Sequence, residues 1–77
     1  MLKALLDYLV RSVVRKPEEV RIKHIETAKV DIFYLSVDKS DLGRLLGKKG
    51  RTVEAIRRVI SAVGAKLGKE TVIDVVE

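Results

Sequence analysis

The sequence predicts a two-layer α+β domain with elements in the order α-β-β-α-α-β, a three-stranded mixed sheet and the helices on one face of it. Three observations lead there. Leucines recur at helical spacing near the start, two strand-length runs rich in β-branched residues follow, and a second helical pattern gives way to a last β-branched run.

The first helix is expected over roughly residues 2–15. Leu2, Leu5, Leu6, Leu9 and Val13 form one apolar stripe, and Pro17 disfavours the α conformation for Lys16. Lys3, Asp7 and Arg11 interrupt this segment, leaving no apolar run near the roughly 18 residues a membrane span needs. The runs "VRIKHIE" (Val20 to Glu26) and "VDIFYLSV" (Val30 to Val37) have strand composition and are joined by the short link Thr27 to Lys29, so they read as an antiparallel hairpin. Ser40 is expected to cap the amides opening "DLGRLL", with Asp41 favourable at the positive end of that helix. Gly47 and Gly50 break the pattern, which restarts in "RTVEAIRRVISAVGAKL", where Val53, Ile56, Ile60, Val63 and Leu67 project to one face. Gly68 is placed to end that helix. The tail "ETVIDVVE" returns to strand composition and, being reached through helices, joins the sheet in parallel. No repeat, low-complexity tract or linker interrupts the chain, which reads as one domain over residues 1–77.

Composition narrows the function. A chain of 77 residues buries only about 60% of its unfolded surface, which argues against a large enzyme cleft. The net charge of +5 favours an anionic partner. Without cysteine there is no disulfide and no thiolate metal site, as is usual for the reducing cytoplasm, and no cofactor is expected. Asn and Gln are also missing, a profile shared with thermophile proteins. His24 is the lone histidine and reads as a surface strand residue with no metal role; Ser12, Ser36, Ser40 and Ser61 have no evident base partner.

The charge is concentrated in one place. From Arg44 to Arg58 the cations are Arg44, Lys48, Lys49, Arg51, Arg57 and Arg58 against the single anion Glu54, a local excess equal to the net charge of the whole chain. At its centre is "LLGKKGRT", Leu45 to Thr52. The two glycines remove side chains that would hold a sugar-phosphate backbone away, and a helix begins there with free amides and a positive dipole end. Arg57 and Arg58 extend the basic surface, although a solvated helix face accounts for them equally well. A Walker loop does not fit, because Gly43 and Gly47 have three residues between them and no Ser or Thr follows Lys49 directly.

The stretch "DLGRLLGKKGRTVEAIR" resembles the GxxG signature of KH domains, whose loop clamps a nucleotide backbone. Gly47 and Gly50 match its glycines, Leu45 and Leu46 the apolar pair before them, and Val53 the apolar position after. With the helix ending in "RKPEEV" and the order α-β-β-α-α-β of the type II KH fold, nearly the whole chain is similar to the small bacterial single-KH proteins of the KhpA family. Leu46 stands where that family often has Ile, a volume-conserving change. The resemblance implies a non-enzymatic protein that grips single-stranded RNA through Gly47, Lys48, Lys49, Gly50, Arg51 and Thr52, with Arg44, Arg57 and Arg58 around them. It also implies an RNA chaperone, pairing with itself or with a larger KH protein of the Jag type, in control of cell envelope growth and division. Ala55, Val59 and Ala62 lie off the main apolar face of the last helix; they read either as the margin of the core or as a symmetric helix contact. Two rival readings are a helix-hairpin-helix-like DNA binder, whose hairpin usually carries Gly-x-Gly without three strands, and a protein-interaction module whose GxxG is vestigial. With one Phe and two Tyr, none beside the loop, aromatic stacking cannot dominate, so low base specificity and a clear salt dependence are expected.

Overall fold

The computed structural model describes the backbone of residues 1–77 and every side chain except that of Lys48. The elements are α1 (Leu2–Val13), β1 (Arg21–Glu26), β2 (Val30–Ser36), α2 (Lys39–Leu46), α3 (Arg51–Lys66) and β3 (Glu70–Val75), the predicted order α-β-β-α-α-β. β2 is the central strand. It pairs antiparallel with β1, Phe33 opposite His24, and parallel with β3, Phe33 opposite Ile73. The predicted hairpin and parallel return are both present.

Alternation along β2 turns Asp31, Phe33 and Leu35 to the helix layer, where they are buried. α1 covers them with Leu2, Leu6 and Val10, and α3 with Val53, Ile56 and Ile60. Two expected core positions differ. Val13 is 37% exposed and Val10 fully buried, because α1 ends at Val13 and the chain turns away there. Leu67 is 51% exposed, because it stands past the last turn of α3 as its C-cap. That end is closed as expected by Gly68, at φ 74°: the Gly68 amide donates to Ala65 O at 3.1 Å and the Lys69 amide to Gly64 O at 2.8 Å.

The buried place on that face belongs instead to Gly64. A methyl group there would lie 2.7 Å from Thr71 Cγ2 and 3.2 Å from the Lys69 carbonyl. The bare backbone is what lets α3 lie close on β3. Gly64→Ala gains about 1 kcal/mol of helix propensity, but Thr71 is stiff at χ1 and a carbonyl cannot yield. Overpacking of about 1–3 kcal/mol therefore prevails. We expect a lower thermal midpoint for this variant; a raised one would show that α3 has room to move off β3.

The opening of α2 departs from expectation in its cap. The N-cap is Asp38, whose Oδ2 accepts from the Ser40 amide at 2.9 Å and from the Ser40 hydroxyl. Ser40 is therefore a donor to the cap and not the cap. These two bonds, with Lys16 Nζ at 3.7 Å, hold the Asp38 carboxyl below its ordinary range against the opposing effect of desolvation. A lowered value means that this contribution to stability is present above the ordinary carboxylate range and fades as pH falls through the folded-state value.

His24 is not a plain surface residue. It faces the helix layer, half-buried, with Nε2 2.7 Å from Asp31 Oδ1 and its ring stacked on Phe33 at 4.4 Å between centroids. Together with Glu26 it brings three metal-ligand types within 4.8 Å of one another. The positive charge there is already supplied. Lys69 Nζ lies 3.3 Å from Glu26 and 3.5 Å from Asp31 and donates to Thr27 O at 2.6 Å, so the cluster is a closed ion network across β1, β2 and the start of β3.

Candidate functional site

α2 and α3 meet at a turn made of two glycines and two lysines. Gly47, the C-cap of α2, has φ 48° and ψ −166°, a region essentially reserved for glycine, and its amide donates to Gly43 O at 2.7 Å. A Cβ there would meet Arg44 O at 3.4 Å and Thr52 Oγ1 at 3.6 Å, ordinary contact distances, so the backbone conformation and not crowding calls for glycine. Gly50 follows at φ 67° and is the N-cap of α3, where it offers no side chain to the first amides of a 16-residue helix. Those amides and the positive dipole end face outward.

Lys49 is the unusual residue. It sits exposed in the left-handed region, φ 60° and ψ 27°, the sole non-glycine residue with positive φ among the described residues. For an L-residue with a Cβ that conformation costs roughly 1–2 kcal/mol, and glycine would relieve it. A strained cation is thus displayed at the tip of the turn.

The other expected site residues distribute as follows. The Lys48 side chain lies outside what the structure describes. Arg51 and Arg58 are exposed on α3 and enter none of the ion pairs among the described residues. Thr52 is half-buried under Gly47. Arg44, in the last turn of α2, is exposed with Nε 4.0 Å from Asp41. Arg57 turns away from the loop: its Nη1 donates to Glu54 at 2.6 Å, and its Nε and Nη2 donate to the Ile73 carbonyl at 3.3 and 2.9 Å. Ala55, Val59 and Ala62 are exposed on the far side of α3, Val59 at 43%.

The resemblance to KH domains implies a groove between the helices flanking the loop and a neighbouring strand, and one of about 330 Å³ opens between α3 and β3, lined by Arg57, Ser61, Thr71, Val72 and Ile73. That Arg57 belongs to it was not foreseen; the one available signal was that Arg57 follows Ile56 at the edge of the buried face, where a long stem lies along the core and the head reaches out. Nor was the burial of Asp41, at 1% exposure, whose two oxygens accept from the Arg15 and Lys16 amides at 2.9 Å each. It ties the start of α2 to the chain leaving α1.

No helix among the described residues is long and apolar enough to cross a membrane. A family model described as the KH domain of KhpA/KhpB matches residues 3–75. Among curated proteins, the chain is similar to the RNA-binding protein KhpA of Chlamydia pneumoniae, 37% identical over 76 residues that cover 99% of this chain and 97% of that one. It is similar also to the RNA-binding protein KhpA of Aquifex aeolicus, 34% identical over 99% of this chain and 96% of that one. Among solved structures, the crystal structure of Aquifex aeolicus Era bound to GDP.AlF4- matches with a TM-score of 0.70 at 16% identity, over 96% of this chain and 29% of that one. That likeness concerns the fold alone.

Proposed function

The chain belongs to the KhpA/KhpB KH-domain family, and from that premise we propose that it is a non-enzymatic protein that holds short single-stranded RNA on the turn from Gly47 to Gly50. The names of its relatives support the class of ligand; the geometry supports the place. Phosphates lie against the glycine backbone and the open amides of α3, with Lys48, Lys49, Arg51 and Arg44 neutralising charge and Thr52 bracing the turn from below. The protein works in the cytoplasm as one domain, an RNA chaperone whose weak grip gains avidity by pairing through Ala55, Val59 and Ala62 with a second copy or a Jag-type KH partner, in control of envelope growth and division.

The observation that carries this reading is Lys49, an exposed lysine kept in a backbone conformation that glycine would occupy without strain. A turn selected only to join two helices has no reason to keep it. Lys49→Gly tests this directly. The fold should be unchanged or up to about 1 kcal/mol more stable, while affinity for a single-stranded oligoribonucleotide falls. The log–log salt slope should drop by about 0.7, the share of one phosphate contact on a single strand. An unchanged affinity and salt slope would leave the turn a mere connection.

A further inference from the structure

β3 is an edge strand, so half of its peptide groups have no strand partner. The Glu70 amide donates to Lys29 O and the Val76 amide to Leu35 O, each at 2.8 Å, which fixes the alternation. The N–H and C=O groups of Glu70, Val72 and Asp74 point at β2, and those of Thr71, Ile73 and Val75 point out over the groove beside α3. Arg57 stands seven residues beyond Gly50, about 10 Å along the helix. A nucleotide strand whose phosphates rest on the loop therefore carries neighbouring bases past Ile73 and Arg57. This step rests on the RNA reading above.

A bare strand edge presents both a donor and an acceptor. Such a pair can meet adenine on either edge that carries its amino group, the carbonyl accepting from N6 while the N–H donates to the ring nitrogen. Here the acceptor at Ile73 is already taken twice over by the Arg57 guanidinium, which Glu54 steadies from the other side at 2.6 Å. A guanidinium has five N–H donors and no acceptor, so donors remain where the carbonyl would have been. The neighbouring outward carbonyls, on Thr71 and Val75, lie roughly 6.6 Å away along the strand, beyond a base seated against Ile73. No aromatic side chain lines the groove to override hydrogen bonding by stacking.

We propose that Arg57, by capping the Ile73 carbonyl, leaves only donors at this point of the strand edge, so that guanine, which presents the adjacent acceptors O6 and N7, is favoured over adenine, whose amino group stands beside both N7 and N1. The preference comes from one side chain laid across a strand edge, so it is removable without touching the loop.

The test is fluorescence anisotropy with two octaribonucleotides at one fixed salt concentration, alternating guanosine–uridine and alternating adenosine–uridine. The first should bind the wild-type protein about tenfold tighter than the second, in the range of one well-made base contact. Arg57→Met frees the Ile73 carbonyl and should erase or reverse that ratio, with circular dichroism confirming the fold. In parallel, the Ile73 amide and Arg57 Nε–H resonances should move when the guanosine–uridine octamer is titrated into the wild-type protein, a readout that needs no variant. Equal binding of the two oligomers, an unaltered ratio in Arg57→Met, or loop amides that shift while Ile73 and Arg57 stay still would each overturn this inference and leave RNA binding standing. If neither oligomer binds at low salt, the RNA reading itself has failed.

Discussion

The double variant Lys48→Asp, Lys49→Asp is expected to lose RNA binding by at least about a hundredfold at moderate salt while keeping its fold, because the two properties respond to the same charges with opposite sign. Binding to a phosphate backbone rises with each neutralising cation. The exchange takes the excess between Arg44 and Arg58 from +5 to +1 and puts carboxylates where phosphates are proposed to lie. Stability moves the other way. Gly50 leaves the first amides of α3 without a side-chain cap, and a negative group near that end of a helix is favourable by roughly 0.3–1 kcal/mol. Aspartate also tolerates the left-handed conformation found at position 49 better than lysine does. The expected pair of measurements is thus a melting temperature equal to or above that of the parent and an anisotropy titration that stays flat. Retained affinity would move the site elsewhere, and the exposed stripe of Ala55, Val59 and Ala62 would become the working surface of an interaction module with a vestigial loop. Loss of binding together with loss of fold would mean that the lysines hold the turn in shape.

How far the sequence could be read depended on whether a signal was local. Element order, the hairpin, the parallel return of β3 and the stop at Gly68 follow from periodicity and turn chemistry within a few residues, and all are present. Gly47 and Gly50 were legible because backbone conformations this unusual restrict the residue type. The misreadings share one cause, a choice between neighbours that only a distant element decides. Val10 and Val13 both fit the α1 stripe until the chain turns at residue 14. Leu67 and Gly64 both lie towards β3, and the close approach of Thr71 decides for the glycine. Asp38 and Ser40 are both good capping residues, and a shift of two residues in the helix start chooses between them. His24 looked solitary because its partner Asp31 sits across the hairpin and Lys69 arrives 45 residues later. Arg57 was counted with the loop cations because nothing in a single sequence shows that its head bends to the Ile73 carbonyl.

Asp41 carries the largest expected effect on stability. Its carboxylate is almost wholly buried, yet among the described residues its nearest cation is Arg44, whose Nε is 4.0 Å away on a side chain nearly half exposed. What compensates its burial is a pair of backbone amides, Arg15 and Lys16, each at 2.9 Å. Those amides follow the end of α1 and have no other partner given by the helix, so the carboxylate closes the chain between α1 and Pro17. Asp41→Ala removes two charge-assisted bonds and strands two part-buried donors, a loss of about 3 kcal/mol or more. In a domain of this size that lowers the melting temperature by roughly 15 °C. Asp41→Asn separates hydrogen bonding from volume. Its carboxamide keeps the shape but offers one acceptor oxygen and turns an N–H toward the second amide, so it should recover little of the loss. A near-wild-type melting temperature for Asp41→Asn would show that one amide suffices and that the clamp is mostly packing. RNA affinity measured well below the midpoint should change little in either variant, since the Gly47 amide keeps its own bond to Gly43 O. The buried carboxylate that seats α2 and the exposed cations that meet the ligand sit at opposite ends of one short helix, and only the second should register in binding.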